Sequence, residues 1–263
     1  MLTLITSMNA KLFVEYGRSF LASWIRHAGS DVRLVICAEG EIIELAQYVD
    51  NIKVIACQLD SPAQKLFQAK YGRFFQANGL VPVKASQVES LYKFKYDYRY
   101  DAVRFAFKAF SYQKSLKELE LGTRFVGWID SDVVCLRDFN LSGLSEMLPR
   151  TGEIASYLGR TVFPQPTPYS ECGFLAFDYQ NEVARAFIDD FISMYETGEI
   201  FLNPEWHDCI AFDVIRHRYQ LRGYAFRNLS GQYHDNEHPF IKSPIGRYFD
   251  HLKGPRRKAR GRS

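Results

Sequence analysis

The sequence predicts a layered α/β domain whose central sheet contains parallel strands, and three observations support this. Strand and helix patterns alternate over residues 2–57, an order typical of parallel pairing. A very apolar run in the middle of the chain, FVGWIDSDVVCL (125–136), carries two aspartates one residue apart. The 263 residues, 47% hydrophobic and 24% charged, suffice for one large α/β domain. No internal repeat or low-complexity linker divides the chain.

The alternation in the first 57 residues depends on two kinds of periodicity. LTLITS, VRLVICAEG and NIKVIAC are short apolar runs typical of buried strands. In LFVEYGRSFLASWIRH, Phe13, Phe20, Leu21 and Trp24 fall on one helical face. The predicted elements are strands at 2–7, 32–40 and 51–57, and helices at 12–27 and 41–49.

Residues 58–100 interrupt this rhythm and are rich in Tyr, Phe, Lys and Arg. One interpretation is a pair of helices that bury Phe and Tyr and expose Lys. The other is an inserted acceptor-binding region, because aromatic and basic side chains together hold sugars or stacked bases. The pair of helices is the favoured structural prediction.

The second half of the chain continues the α/β pattern. Asn181 precedes an amphipathic stretch, and Asn203-Pro204 predicts a helix start by the rule of a cap followed by proline. Residues after about 230 lack periodicity, which suggests a functional segment. The predicted elements are helices at 101–119, 181–197 and from 204, and strands at 125–136, 171–178 and 221–229.

The net charge of +3 comes from the C-terminus. Residues 253–262 carry six Lys or Arg and no acid, and without them the chain has 27 basic and 30 acidic residues. Such a tail suits phosphates, nucleic acid or an anionic membrane surface, or is simply solvated.

Five scattered cysteines without CxxC spacing argue against a disulfide framework and favour a reducing, cytoplasmic location. The N-terminus lacks the pattern of a signal peptide, and no apolar run reaches the ~18 residues of a membrane span.

Asp130 and Asp132 are the strongest chemical signal in the sequence. Ligands of open α/β sheets bind at the carboxyl ends of strands, and residues i and i+2 of a strand share a face. Two uncompensated carboxylates at that point repel each other, and a hard divalent cation such as Mg²⁺ or Mn²⁺ removes that cost. The pair therefore predicts a metal site beside substrate phosphates, although a capping or turn role is the alternative.

This arrangement resembles the GT-A fold of nucleotide-sugar-dependent glycosyltransferases, including the glycogenin-like and bacterial sugar transferase group. The resemblance covers nearly the whole chain and is weakest over 58–100. It implies a Rossmann-like α/β/α sandwich with a mixed central sheet, in which the DxD motif holds the metal and the donor ribose. It also implies three further landmarks along the chain.

Two landmarks concern the donor sugar and the acceptor. Ser170-Glu171-Cys172-Gly173-Phe174 matches a glycine-containing loop that leads into a strand near the donor sugar. Glu205-Trp206-His207-Asp208 matches an acidic motif at the start of the following helix. In inverting members that acid is the general base, and in retaining members it tends to bind the acceptor. The resemblance thus assigns Asp208 and Glu171 to catalysis or acceptor binding.

The third landmark is a late histidine. His251-Leu252-Lys253-Gly254-Pro255-Arg256-Arg257 follows the family's His-x-x-Gly-x-x-Lys pattern with arginine in the last place, and the family's following Pro-Trp is absent. There the histidine binds the metal, and the glycine and basic residue contact the diphosphate. Residues 230–263 are therefore expected to form a diphosphate-binding tail.

Together, the motifs and the resemblance define the candidate site. Asp130, Asp132 and His251 are expected to hold Mn²⁺ or Mg²⁺. Candidate contacts to the nucleotide-sugar are Thr6, Ser7, Arg104, Lys108, Asp130, Ser131, Gly173, Lys253, Gly254, Arg257 and Lys258. His234 and His238 have spacing compatible with a shared metal site, but their polar surroundings indicate a structural loop.

The expected activity is metal-dependent transfer of a sugar from a nucleoside-diphosphate sugar, with UDP-sugar favoured, to a hydroxyl acceptor such as a glycan. The alternatives are a nucleic-acid-binding protein that uses the tail and residues 92–100, or a glycosyltransferase whose acceptor is DNA. Peripheral membrane contact through the tail stays open. The sequence does not determine the sugar, the acceptor, the stereochemical outcome or the oligomeric state.

Overall fold

The computed structural model describes residues 1–49, 51–83, 93–119, 122–160, 169–230 and 238–252. Its strands are β1 (Leu2–Met8), β2 (Val32–Ala38), β3 (Val54–Gln58), β4 (Leu80–Val83), β5 (Lys93–Tyr96), β6 (Phe125–Ile129), β7 (Val133–Cys135), β8 (Glu153–Leu158), β9 (Glu171–Asp178), β10 (Ala225–Asn228) and β11 (Phe249–His251). Its helices are α1 (Ala10–Leu12), α2 (Arg18–His27), α3 (Pro62–Tyr71), α4 (Ala102–Ser115), α5 (Glu182–Glu196), α6 (Asp208–Leu221) and α7 (Pro239–Lys242), and a π-helical turn (Phe13–Gly17) joins α1 to α2.

Seven strands form one mixed sheet in the order β10-β8-β9-β6-β1-β2-β3. Within this sheet β9 runs antiparallel to its neighbours β6 and β8, and the other pairs are parallel. The carboxyl ends of β1, β2 and β6 and the amino end of β9 therefore lie along the same edge. Polar side chains that follow or begin these strands are brought together there.

Apolar side chains cover both faces of the sheet. One core contains Ile5 of β1 with Tyr112 and Phe187 of α4 and α5, and the other contains Leu4 of β1 with Trp24 of α2. Ile5 and Leu4 are adjacent, so the alternation of side chains along the strand sends them to opposite faces. The predicted α/β/α sandwich with a mixed central sheet is confirmed.

Local capping explains where several helices begin. Asp101 accepts a hydrogen bond from Arg104 N at 3.2 Å, Asn181 accepts one from Val183 N at 2.9 Å, and Ser61 accepts one from Gln64 N at 3.1 Å. These side chains satisfy amides of the first helical turn that have no partner within the helix. The Asp101 cap fixes the start of α4, which faces the cleft described below.

The prediction of two helices within 58–100 is wrong. The described part of this region contains one α-helix, α3, two short 3₁₀ turns (Gln76–Asn78 and Tyr98–Tyr100) and the antiparallel hairpin of β4 and β5. Phe67 of α3 is buried, but Phe74, Phe75 and Phe94 are exposed. Lys93, Phe94, Lys95 and Tyr96 alternate between basic and aromatic residues, a pattern typical of a strand. The helix prediction rested on the composition of the stretch and not on this pattern.

The predicted strand 125–136 is two strands. The chain turns at Asp130–Asp132, and β7 leaves the main sheet to pair antiparallel with β11. Strand β8 was missed, although its run EIASYL is apolar enough to be found. The final segment is also less irregular than expected, because α7 and β11 lie within it.

Helix α6 begins at Asp208 rather than at the predicted proline. Asn203 does not cap it, because its side-chain amide donates to the carbonyls of Glu199 and Ile200 at 3.3 and 3.2 Å and so closes the preceding 3₁₀ helix (Glu199–Leu202). His207 occupies the N-cap position of α6. This later start places Asp208 in the first turn, facing the cleft.

Candidate active site

A cleft of about 900 Å³ lies at the edge where β1, β2 and β6 end. Side chains and backbone from β9, α4 and the start of α6 close its other sides. Its polar lining includes Ser7, Asn9, Glu39, Arg104, Lys108, Asp130, Ser131, Asp132, Arg160, Glu171, Asp208 and His238. The volume falls within the range of pockets that hold ligands of drug or cofactor size.

The two aspartates line this cleft, and the late histidine contacts them from the interior of the protein. His251 Nε2 lies 2.9 Å from Asp132 Oδ1 and 3.6 Å from Asp130 Oδ2. Strand pairing causes this approach, because His251 lies opposite Val133 in the β11–β7 ladder and Leu252 N donates to Asp132 O at 2.8 Å. Trp128 Nε1 donates to Asp130 Oδ1 at 2.7 Å and orients that carboxylate.

This donor set fits a divalent cation. One ligand atom from each of Asp130, Asp132 and His251 lies within 4.8 Å of the others, and the histidine is buried while the aspartates are half-buried. Carboxylate oxygens with one imidazole nitrogen suit Mn²⁺ or Mg²⁺ better than soft metals. His251 Nδ1 is buried without a hydrogen-bond partner among the described residues.

Gly173 belongs to β9 rather than to the predicted loop. A Cβ atom at this position would lie 3.1 Å from Glu171 Oε1, 3.2 Å from Asp130 Oδ2 and 3.3 Å from His251 Cε1. Gly173 O also accepts a hydrogen bond from Asp130 N at 3.0 Å. The absence of a side chain therefore allows β9 to pack against the proposed metal ligands.

Gly173→Ala is expected to weaken Mn²⁺ binding by roughly tenfold, the lower end of what a displaced supporting group costs a metal site. The added methyl group pushes on two of the ligands, while the strand itself tolerates alanine. Titration of Mn²⁺ into the protein, followed by calorimetry, measures the affinity. Gly143→Ala is the matched control, because its Cβ would be similarly close to a neighbour, with Tyr248 Oη at 3.2 Å, but lies outside the cleft. Equal Mn²⁺ affinity in all three proteins contradicts the prediction.

Lys108 was predicted to contact phosphate or sugar, but it is already occupied. Its ammonium forms an ion pair with Asp208, donates to Cys172 O at 2.8 Å and lies 3.7 Å from Asp130 Oδ1. Burial alone would lower the pKa of Lys108, but the charges of Asp208 and Asp130 outweigh it and raise that pKa. Lys108 thus links the two aspartates as a permanent buried cation.

Glu171 is similarly engaged. Its Oε2 accepts a hydrogen bond from Arg160 at 2.6 Å and lies 3.4 Å from His238 Nε2, and its Oε1 accepts one from Gly173 N at 3.2 Å. Glu171, His238 and His251 also place ligand atoms within 4.8 Å of one another. His238, interpreted from the sequence as structural, therefore borders the site, whereas His234 lies outside the described residues.

The ends of β1 and β2 form the other half of the cleft. Ser7 lines it and donates to Glu39 Oε1 at 2.6 Å, and Asn9 Nδ2 lies 3.5 Å from Glu39 Oε2. Burial raises the pKa of Glu39, against the hydrogen bond from Ser7. Thr6 is fully buried in β1 and does not line the cleft, so the structure gives no support for its predicted nucleoside contact.

The remaining predicted residues divide between the mouth of the cleft and the undescribed tail. Arg104 lies exposed at the mouth, with Nη1 3.3 Å from Tyr96 Oη, and Ser131 lines the floor between the two aspartates. Lys253, Gly254, Arg257 and Lys258 lie outside the described residues, as do residues 231–237 and the rest of 253–263 in the predicted tail.

A buried Glu205–His207 pair lies on the α6 side of the cleft. His207 Nε2 is 2.8 Å from Glu205 Oε2, and the imidazole packs against Tyr98, Tyr169 and Phe105. Burial alone would lower the pKa of His207, but a hydrogen bond to Cys209, the charge of Asp208 and the hydrogen bond to Glu205 raise it to about 9. The raised pKa favours the protonated imidazole at neutral pH.

Stability is expected to fall as the pH rises from about 6.5 to about 9, because His207 binds its proton more tightly in the folded state than in the unfolded chain. Below pH 6.5 both states are protonated and the stabilisation is fully present. The loss of this stabilisation amounts to roughly 3 kcal/mol by linkage. Urea unfolding from pH 6 to 9.5 measures it, and His207→Gln should remove most of the slope. A slope retained in His207→Gln assigns the effect to another group.

Sequence reasoning missed several cleft residues, and some had a detectable signal. Asn9 and Glu39 follow β1 and β2, so the rule that located Asp130 at the end of β6 applies to them as well. Arg160 follows β8, which was not predicted. Tyr98 lies in a 3₁₀ turn (Tyr98–Tyr100) within the aromatic region 58–100, and its hydroxyl oxygen is 2.7 Å from that of Tyr169, which gave no local signal.

Comparisons with known proteins give matches only at the level of structure. No family profile matches the chain, and no curated protein matches it. The structure resembles WbbM, a bifunctional glycosyltransferase (11% identity, TM-score 0.48), over 87% of this chain and 38% of that one. It resembles mouse xyloside xylosyltransferase 1 (12%, 0.46) over 87% and 84%, and GlyE of Streptococcus pneumoniae TIGR4 (13%, 0.47) over 86% and 44%. All three are glycosyltransferases.

At these identities the likeness concerns the fold alone, and this chain spans less than half of WbbM and of GlyE. The function proposed below depends on the residues of the cleft. Among the described residues, no helix is both long enough and apolar enough to cross a membrane.

Proposed function

We propose that this chain is a metal-dependent glycosyltransferase that transfers a sugar from a nucleoside-diphosphate sugar to a hydroxyl acceptor. The observation that carries the proposal is the convergence of Asp130, Asp132 and His251, with ligand atoms within 4.8 Å of one another, at the point where the two aspartates line a cleft of about 900 Å³. A divalent ion held there supplies Lewis-acid stabilisation of the departing diphosphate. UDP-sugars are the favoured donors, as the sequence resemblance implies.

The two halves of the cleft suit the two ends of such a donor. Ser7, Asn9 and Glu39 offer hydroxyl, amide and carboxylate groups to the nucleoside at the ends of β1 and β2. Arg104 at the mouth is the cation best placed to contact phosphate, because Lys108 is held within the protein. The sugar would then lie between Gly173, whose backbone approaches the proposed metal ligands, and Asp208, which Lys108 links to Asp130.

The ion pair of Asp208 with Lys108 bears on the stereochemical outcome. Both carboxylate oxygens of Asp208 already accept hydrogen bonds within the protein, Oδ2 from the Lys108 ammonium and Oδ1 from Cys209 N at 3.0 Å. We therefore assign Asp208 to binding of sugar or acceptor, which favours retention of configuration. The anomeric configuration of the product, measured by NMR, tests this assignment.

The deciding experiment is a thermal-shift screen of UDP-, GDP-, CMP- and dTDP-sugars with and without Mn²⁺, followed by assay of nucleotide release. Stabilisation by one nucleotide family that requires Mn²⁺ supports the proposal, because a ligand that binds only the folded state raises its stability. The proposal is overturned if none of these donors stabilises the protein and none of them is a substrate. The comparisons give no support to the nucleic-acid alternative.

A further inference from the structure

The hairpin of β4 and β5 and the turn after α3 expose three phenylalanines beside the cleft mouth. Phe74, Phe75 and Phe94 are 59%, 62% and 44% exposed, and the rings of Phe75 and Phe94 lie 5.2 Å apart. We call the surface formed by Lys70, Arg73, Phe74, Phe75, Lys93, Phe94 and Lys95 the hairpin surface. Soluble proteins rarely cluster exposed aromatic side chains in this way without a binding partner.

The segment that contains the hairpin surface, residues 61–96, has an excess of basic residues. Residues 61–96 contain six Lys or Arg and a single acid, Glu89. Outside residues 61–96 and 253–262 the chain has 21 basic and 29 acidic residues, a net charge of −8. The segment that bears the hairpin surface and the C-terminal tail are therefore two basic regions of an otherwise acidic chain, and the hairpin surface is also aromatic.

We propose that the hairpin surface docks this protein onto an anionic lipid membrane. Phenylalanines insert at the boundary between headgroups and acyl chains, and Lys and Arg side chains extend from apolar surroundings to reach lipid phosphates. Lys70 and Arg73 precede Phe74 closely along the chain, and Lys93 and Lys95 flank Phe94. Because side chains alternate along a strand, Lys93 and Lys95 leave β5 on the face opposite to Phe94, and their long side chains reach headgroups past the edge of the hairpin.

Two other partners fit this surface less well. A second copy that used the same surface would place its excess positive charge against an identical excess, which disfavours self-association. A nucleic acid would use the basic and aromatic groups but not the aliphatic ones, Leu66 and Val83, which are 68% and 39% exposed in the same segment. A lipid surface would contact the basic, the aromatic and the aliphatic side chains.

Docking through this surface would also bring the cleft close to the membrane. Asn78, which lines the cleft, donates to Phe74 O at 2.9 Å, and Tyr96 of β5 donates to Asp101 Oδ2 at 2.9 Å at the start of α4. The proposal itself does not require glycosyl transfer. Asp132→Ala is therefore expected to bind vesicles as the wild-type protein does.

The test is co-sedimentation of the full chain with vesicles of phosphatidylcholine alone and of phosphatidylcholine with 30% phosphatidylserine. The protein should bind the anionic vesicles, and Lys93→Gln/Lys95→Gln should weaken binding by roughly tenfold or more, since each basic residue near the surface adds to the attraction. Phe74→Ser/Phe75→Ser should also weaken it. The matched controls are Lys117→Gln/Arg150→Gln and Leu221→Ser, exposed positions away from this surface.

Phe75→Trp adds a spectroscopic readout, because an indole that enters the lipid interface shifts its emission to shorter wavelength. The basic C-terminal tail is present in every variant, so hairpin variants that bind like the controls would assign vesicle binding to the tail and overturn the proposal. Absence of vesicle binding, or stronger binding to a single-stranded oligonucleotide than to vesicles, would overturn it too. Melting temperatures near that of the wild-type protein confirm that the variants are folded.

Discussion

Asp132→Ala is expected to lower Mn²⁺-dependent hydrolysis of the preferred nucleotide-sugar by at least ~100-fold, because removing a metal ligand costs more than the 10–100-fold typical of its supporting groups. Asp132 is the carboxylate closest to His251, at 2.9 Å from Nε2. The same variant should lose the thermal stabilisation by Mn²⁺ plus nucleotide. Steady-state kinetics and thermal shifts measure the two effects independently.

Asp138→Ala provides the matched control for this experiment. Asp138 also pairs with a histidine, His27, at 2.8 Å, but this pair lies outside the cleft. His251→Gln should reproduce the loss seen in Asp132→Ala, and Asp138→Ala should not. Full metal-dependent activity in Asp132→Ala would remove the basis of the proposed function, whatever the fold.

Lys108→Met is expected to destabilise the protein by about 3–5 kcal/mol, since it leaves Asp208 buried beside Asp130 without the cation that neutralises both. For a domain of this size, that loss corresponds to a fall in melting temperature of roughly 10 °C. Calorimetry or urea unfolding at pH 7 measures it. Methionine keeps most of the volume, so the lost charge accounts for most of the effect.

Two comparisons separate this charge effect from a packing effect. Lys117→Met, at the exposed end of the same helical region, should change stability by less than ~0.5 kcal/mol. Lys108→Met/Asp208→Leu should recover part of the loss, because it removes one of the two unpaired carboxylates. If the single variant Lys108→Met is as stable as Lys117→Met, the buried ion pair does not stabilise the fold.

Many of the strands and helices could be predicted from local patterns in the sequence. The periodicity of β1, β2 and β9 and of α2, α4 and α5 identified these elements, because each buries a continuous apolar face. Errors arose where composition outweighed pattern, as in the hairpin of β4 and β5, and where a local rule competed with a tertiary contact. Asn203 resembled a helix cap but serves the preceding turn, so α6 begins later.

The sequence by itself determined the layered α/β class and placed two carboxylates at the end of a buried strand, because both are properties of neighbouring residues. Only the tertiary structure decided that Lys108 neutralises Asp208, 100 residues away, rather than contacting a ligand. It also gathered Glu39, Arg160 and His238 around the same cleft. The charge balance of a buried site depends on which groups the fold brings within a few ångströms, and sequence spacing carries no record of those distances.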